Sequence, residues 1–289
     1  MMNTVIMTDS CCDLPLNFVK ENNIDVISLG INIDSKYYSD DLGQSIDIKE
    51  FYNKLRTGIM PTTSQANAFS YEEKFKKYVE EGNAVIYIGF SSALSGSVNS
   101  ARIAMENIKD EYKEADITII DSKSASLGLG LLVYKAAEML KNGASKDEIV
   151  SWVEDNKLKL NHWFTVDDLN HLKRGGRVSG TVAAVGTLLG IKPVLHVDNE
   201  GRLVPVSKVK GRKKSIKVLQ DTIKERIVNP EEQVIFISHG DCLEEAEYLK
   251  KLILDDVKVK DIIINNVGPT IGTHSGPGTI ALFFIGKER

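Results

Sequence analysis

A chain of 289 residues, 42% hydrophobic and 26% charged, is long and apolar enough for one large domain or two ordinary ones, and its net charge of −4 argues against a dedicated nucleic-acid binder. Three cysteines, two of them adjacent at Cys11 and Cys12, make neither a disulfide framework nor a zinc pattern, which points to a reduced, cytoplasmic setting. The opening residues carry no secretory signal, and no apolar stretch is long enough to span a bilayer, so membrane contact is expected to be transient at most.

The segment NTVIMTDS predicts a short buried strand ending in a polar turn, and LPLNFVKENN a helix with Asp13 as its N-cap. IDVISLGINID reads as the next strand. IDIKEFYNKLRTG is helical, with Asp47 near its start and Gly58 at its stop, and YEEKFKKYVEEGN is a second amphipathic helix closed by glycine. AVIYIGF is a strand with the near-continuous apolar face of a central parallel strand. A helix over 97–109, the strand DITIIDS and the helices GLLVYKAAEMLKNGAS and KDEIVSWVEDNKLKL follow. Strand and helix thus alternate to about residue 160, which predicts a parallel sheet with helices on both faces, a three-layer α/β/α domain over 1–160.

Residues 161–289 read differently. TVAAVGTLLGI predicts a helix of small and aliphatic residues, and KPVLHVDNEGRLVPVSKVKG a hairpin turning at NEG. The helix KKSIKVLQDTIKERI, the strand QVIFISHG, the helix LEEAEYLKKLIL and the strand DIIINNV complete the pattern. Hairpin and crossover signals together predict a second, two-layer α/β domain with a mixed sheet.

Ligands of open parallel sheets bind beyond the carboxyl ends of the strands, and three such ends here are rich in hydroxyls: MTDS, GFSSALSGS and IIDSKSASLGLG. The loop PTTSQAN adds Thr62, Thr63, Ser64 and Gln65. In SSALSGS, Ser95, Gly96 and Ser97 stand at a helix start, where free N–H groups and a partial positive charge favour an anion. The plainer reading makes any one of these serines an N-cap. The stretch lacks the G-x-S-x-G elbow of hydrolases, and a serine nucleophile also needs a base within reach. The histidines, at 162, 171, 196, 239 and 274, lack metal-ligand spacing. His274 is framed by glycines and prolines in GPTIGTHSGPG, which reads as a loop approaching a ligand closely. Arg174 and Arg177 flank a Gly-Gly turn and offer forked donors for carboxylate or phosphate. The basic run around Lys210, Arg212, Lys213 and Lys214 reads as a solvated face or a docking patch for an acidic partner. There is no P-loop and no complete dinucleotide fingerprint.

The segments VIMTDSCCDLP, PTTSQAN, SSALSGSVNSA, LKRGGRVSG, LLGIKPVL and GPTIGTHSGPG, in this order, resemble the DegV family over essentially the whole chain. The resemblance implies two domains with a deep pocket between them that binds one long-chain, palmitate-like fatty acid. It implies that Thr63 and Ser95 hold the carboxylate, and that Arg174 and His274 complete a head-group network. It implies no cofactor, no metal and no independent catalysis. In some members the acid is handed to a separate ATP-binding kinase subunit, for which the Lys210–Lys214 run is the expected docking site. The sequence departs from the family pattern at Ala66, where a proline usually follows T-S-Q, and reads L-S-G-S for L-S-G-T. The apolar walls are expected from TVAAVGTLLGI and IALFF. The alternative is an acyl-ester hydrolase with Ser95 as nucleophile and His274 as base.

Overall fold

The computed structural model describes residues 3–178 and 190–289. Period-2 alternation builds its first layer. In β1 (Thr4–Asp9) and β6 (Ala84–Gly89) successive side chains face opposite sides. Met7, Val85 and Tyr87 pack with α3 (Ala68–Glu80) and α4 (Ser97–Glu111), while Ile6, Ile86 and Ile88 pack with α5 (Leu127–Lys141). With β2 (Asp25–Ile27) and β7 (Ile117–Asp121) these strands form a four-stranded parallel sheet in the order β2-β1-β6-β7. The short α1 (Leu16–Glu21) and α6 (Lys146–Asn156) lie on the α5 side of this sheet.

A separate six-stranded mixed sheet has the order β10-β9-β8-β13-β11-β12. Its strands are β8 (Leu160–Thr165), β9 (Ile191–Val197), β10 (Leu203–Lys210), β11 (Val234–His239), β12 (Asp261–Asn266) and β13 (Ile280–Ile285). One face, with Trp163, Ile235, Ile237 and Leu282, is covered by α8 (Arg212–Arg226) and α9 (Leu243–Asp256). The other face presents Phe164, Phe236 and Phe283 to α5. Helix α5 therefore lies between the two sheets, which explains why it is apolar on every side. It packs closely only because its glycines are small: a Cβ on Gly128 would stand 2.9 Å from the Phe283 ring.

The third sheet is small and antiparallel, β3 (Gly30–Ile33), β4 (Lys36–Ser39) and β5 (Thr62–Ser64) in the order β4-β3-β5. It shares a core with α2 (Ile48–Arg56), whose N-cap is Asp47 as its sequence predicts. This sheet corrects two expectations. IDVISLGINID is not one strand. It divides at Ser28–Leu29, because Leu29 N–H donates to the Ser10 hydroxyl and Leu29 C=O accepts from Asp40 N–H, which takes that residue out of both ladders. PTTS is not a loop but the edge strand that carries Thr63.

Two further expectations are overturned. Asp13 does not cap α1, which begins after Pro15 with no side-chain cap. Asp13 is buried, with φ of 51°, and its carboxylate accepts from Gly268 N–H and from the Ser126 hydroxyl. GPTIGTHSGPG is not a loop either. After α7 (Asn170–Arg174), the last helix is α10 (Pro269–Ser275), begun by a proline at a position where its missing N–H costs nothing. A Cβ on Gly272 would come within 2.7 Å of the Tyr52 hydroxyl, so the glycine lets α10 press against α2. Of the expected helix TVAAVGTLLGI, residues 181–189 lie outside the described residues, and so do the wall positions expected there.

Candidate functional site

A cavity of about 360 Å³ opens where the three sheets meet. The turns after β6 and β7, the edge strand β5, helix α10 and the inner face of the mixed sheet all contribute to it. Phe90, Leu94, Phe164, Leu172, Leu203 and Ala281 give it apolar walls. Of the IALFF segment only Ala281 lines it; Ile280, Leu282 and Phe284 point to the opposite core.

One end is polar. Thr63, Ser95 and His274, drawn from positions far apart in sequence, line it together with Gln65 and Arg177. Thr63 Oγ1 lies 2.8 Å from His274 Nε2. Burial, helped by the Arg177 charge, pushes His274 down to about 4, so the ring is neutral at pH 7. With its proton on Nε2 the imidazole donates to Thr63, and the Thr63 hydrogen is then free for an acceptor in the cavity. His274 Nδ1 is buried and has no hydrogen-bond partner among the described residues.

Three serines stand in the turn before α4 and a fourth, Ser97, opens the helix, and the structure separates them. Ser91 donates to Gly201 C=O at 2.9 Å, which ties the turn to the β9–β10 hairpin. Ser92 donates to Asp121, whose other contacts include Lys123 at 2.9 Å. Only Ser95 Oγ faces the cavity; it accepts from Ser97 N–H at 3.2 Å and lies 2.9 Å from Ser97 Oγ. Ser95, one residue before the Gly96 N-cap, thus takes the first N–H of the helix and also presents a hydroxyl beside its positive end.

The two arginines flanking the Gly-Gly pair part company. Arg174 is exposed, donates to His171 Nδ1 at 3.1 Å and does not line the cavity. It borders a neighbouring groove that shares Thr63, Arg177 and His274 with the cavity. Arg177 lines the cavity, anchored through its guanidinium to Leu94 C=O and Gly175 C=O. The sequence singled out both, and only the fold tells them apart.

Ser126 and His162, which stand in segments the sequence marks without naming them as site residues, also line the cavity with Ser238. Ser126 donates to buried Asp13, and its hydroxyl lies 2.9 Å from that of Ser238 on β11. Burial raises the Asp13 carboxyl well above the usual carboxylate range. His162 on β8 also lines the cavity, pushed well below the usual range by burial.

In the basic run, Lys210, Lys213 and Lys214 are exposed, but Arg212 is no free docking cation. It is held by Glu245 at 2.7 Å and by Gly278 C=O. Among the described residues, no group of three or more His, Cys, Asp and Glu side chains is placed to hold a metal ion, and no helix is long and apolar enough to cross a membrane.

Fold and cavity together define an α/β protein with a parallel and a mixed sheet around an amphipathic ligand cavity. A family profile described as "Uncharacterised protein, DegV family" matches residues 3–287, and the chain belongs to the DegV family. A DegV domain-containing protein of Clostridium perfringens is 54% identical over 289 residues, covering 100% of this chain and 99% of that one. A DegV family protein from Thermus thermophilus, described by its fatty acid binding, superposes with a TM-score of 0.90 at 29% identity, over 99% of this chain and 100% of that one. DegV of Bacillus subtilis, described as a fatty acid binding protein, superposes at 0.86 with 31% identity, over 99% of this chain and 100% of that one.

Proposed function

We propose that this protein binds one long-chain, palmitate-like fatty acid, with its carboxylate at Thr63 and Ser95 and its acyl chain along the apolar walls. The observation that carries the reading is the cavity itself: it joins the apolar side chains of Phe90, Leu94, Phe164, Leu172 and Leu203 to a cluster of two hydroxyls, a neutral imidazole and an arginine. Its volume falls in the range of about 300–1,000 Å³ usual for small-ligand pockets. Each buried methylene favours binding by about 0.8 kcal/mol, so the chain supplies most of the affinity and the polar end sets its direction. The fatty acid binding of the Thermus and Bacillus relatives supports the same ligand class. The head-group network extends through His274 to Arg177, with Arg174 on the outer groove. Residues 1–160 and 161–289 act as two units with the acid between them.

The protein acts as a carrier in the cytoplasm, without cofactor or catalysis of its own. Two contacts favour binding over acyl-ester hydrolysis. The Ser95 hydroxyl pairs with Ser97 and the His274 imidazole with Thr63, and a base pushed down to about 4 is weak for a serine nucleophile. Lys210, Lys213 and Lys214 form the docking patch for a separate kinase subunit that receives the presented carboxylate.

Native mass spectrometry of the purified protein, followed by organic extraction, tests the central reading. One fatty acid per chain, lost in Thr63→Ala/Ser95→Ala, is expected. A wild-type protein that is empty and takes up neither palmitate nor oleate would sink it.

A further inference from the structure

Helices α7 and α10 meet through two histidines and two glycines. The glycine that follows each helix lies against a histidine of the other: Gly276, after α10, against His171, and Gly175, after α7, against His274. The two glycines answer different needs. Gly276 has φ of 78°, a conformation that disfavours any side chain, so its own backbone asks for glycine. The same holds for Gly176, at φ 69°, which makes the turn of the Gly-Gly pair. Gly175 has φ of −71° and ψ of −12°, in the right-handed helical region that alanine adopts freely. What demands glycine there is His274. A Cβ on Gly175 would land on the imidazole at Nδ1, with Cγ and Cε1 each 3.1 Å away.

That seat bears on where the ring keeps its proton. A neutral imidazole has a hydrogen on one nitrogen and a lone pair on the other, and the neighbours of each nitrogen decide which. Around Nδ1 the backbone groups are already committed. Gly175 N–H donates to His171 C=O, Gly176 N–H donates to Lys173 C=O, and Gly175 C=O accepts from the Arg177 guanidinium. A hydrogen on Nδ1 would be buried with no acceptor, beside a glycine whose carbonyl already holds a cation. A lone pair suits that place better. Nε2, in contrast, has Thr63 Oγ1 at 2.8 Å.

The two tautomers give Thr63 opposite characters. With the proton on Nε2, the ring donates to Thr63 Oγ1 and the threonine keeps its single hydrogen for the cavity. With the proton on Nδ1, Thr63 spends that hydrogen on Nε2 and turns only lone pairs toward the cavity, a poor match for a carboxylate. We propose that Gly175 is a positioning residue for ligand binding: by seating the His274 ring with Nδ1 against backbone that offers no acceptor, it fixes the Nε2–H tautomer and so makes Thr63 a donor to the carboxylate. The consequence at Thr63 rests on the fatty-acid reading, because it needs an anion there; the tautomer does not.

Nitrogen NMR of protein labelled in its histidine rings, with the His274 signals assigned through His274→Gln, reads the tautomer directly. At pH 7 without ligand, Nδ1 is expected to resonate as a bare ring nitrogen and Nε2 as an N–H. The reverse, or an even mixture, overturns the proposal. Gly175→Ala must push the ring off its seat. It is expected to weaken palmitate binding by about tenfold and to bring the Nδ1–H form into the spectrum. In the His274→Gln background the same alanine meets a flexible side chain instead of a ring, and is expected to change affinity by less than about twofold. Gly176→Ala strains the turn without meeting any other group, and is expected to keep both the tautomer and the affinity of the wild type. An equal loss of affinity in both His274 backgrounds, or a wild-type spectrum and affinity in Gly175→Ala, overturns the role of Gly175. If Gly175→Ala folds poorly, the wild-type spectrum still decides the tautomer. A wild type that binds no palmitate overturns the ligand reading itself and leaves that spectrum standing.

Discussion

The turns after β6 and β7 are both rich in serine, both follow adjacent parallel strands, and both reach the cavity, yet they do opposite things. In the second, Ser126 is locked. Its hydroxyl donates to buried Asp13, and its backbone sits at φ 53° and ψ −145°, a conformation almost reserved for glycine. In the first, Ser95 accepts from the Ser97 N–H and meets the Ser97 hydroxyl but no charged group, and its hydrogen can turn toward a ligand. A hydroxyl fastened to a buried carboxyl holds the chain together, whereas one paired with a second hydroxyl remains free to respond.

The sharpest mechanical test of the locked side is Arg289→Ala. That guanidinium donates to the carbonyls of Lys123, Lys157, Leu160 and Asp198, and Lys123 belongs to the turn after β7. Its loss is expected to lower the unfolding free energy by about 4 kcal/mol, read from urea denaturation. The two sides should also answer acid with opposite signs. His274 binds its proton near 6.5 when unfolded but only at about 4 when folded, so its share of stability is lost as pH falls from 6.5 toward 4. His274→Gln is expected to remove about 3 kcal/mol of that acid loss. Asp13 is raised on folding, so its share is present at low pH and lost as pH rises past the ordinary carboxylate range; Asp13→Asn should flatten that limb. Denaturation curves at pH 4, 5.5 and 7 for both variants check the two signs together.

Ser126→Ala is expected to cost about 2 kcal/mol of stability, since Asp13 keeps its burial and loses a donor. Ser126→Gly should cost less, because it relieves the backbone. Ser95→Ala should cost less stability than Ser126→Ala, about 1 kcal/mol for the Ser97 N–H it leaves without an acceptor, and weaken palmitate binding by about 1 kcal/mol, roughly fivefold. If Ser126→Ala weakened binding more than Ser95→Ala did, the contrast between locked and free would collapse. The smallest effect is expected at Ser92, an exposed residue whose acceptor Asp121 keeps Lys123 and two backbone N–H donors; Ser92→Ala should lower stability, read from urea denaturation, by less than about 1 kcal/mol.

The same pair of turns shows what the sequence can and cannot carry. Local signals were legible: the Asp47 cap, the hairpin at Asp198–Gly201 and the doubly buried strand AVIYIG all follow from short-range rules. The motifs also named Thr63, Ser95 and His274, three residues that line one cavity wall. A count of serines, however, holds no information on which hydroxyls are already committed, because Gly201, Asp121 and Asp13 arrive from elsewhere in the chain. Arg174 and Arg177 have the same chemistry three residues apart, and only tertiary packing turns one inward. Helix α10 was hidden by its glycines, which serve contact with Tyr52 rather than a turn.

Strand β13 lies in the middle of the mixed sheet, between β8 and β11, although it is the last strand in chain order. During synthesis, therefore, β8–β10 and β11–β12 leave the ribosome as two half-sheets with bare edges facing each other. Neither half can bury its inner face until residues 280–285 have been made and inserted, and His274 is delivered only just before them. A nascent chain therefore cannot assemble the cavity before β13 has emerged and joined the two half-sheets.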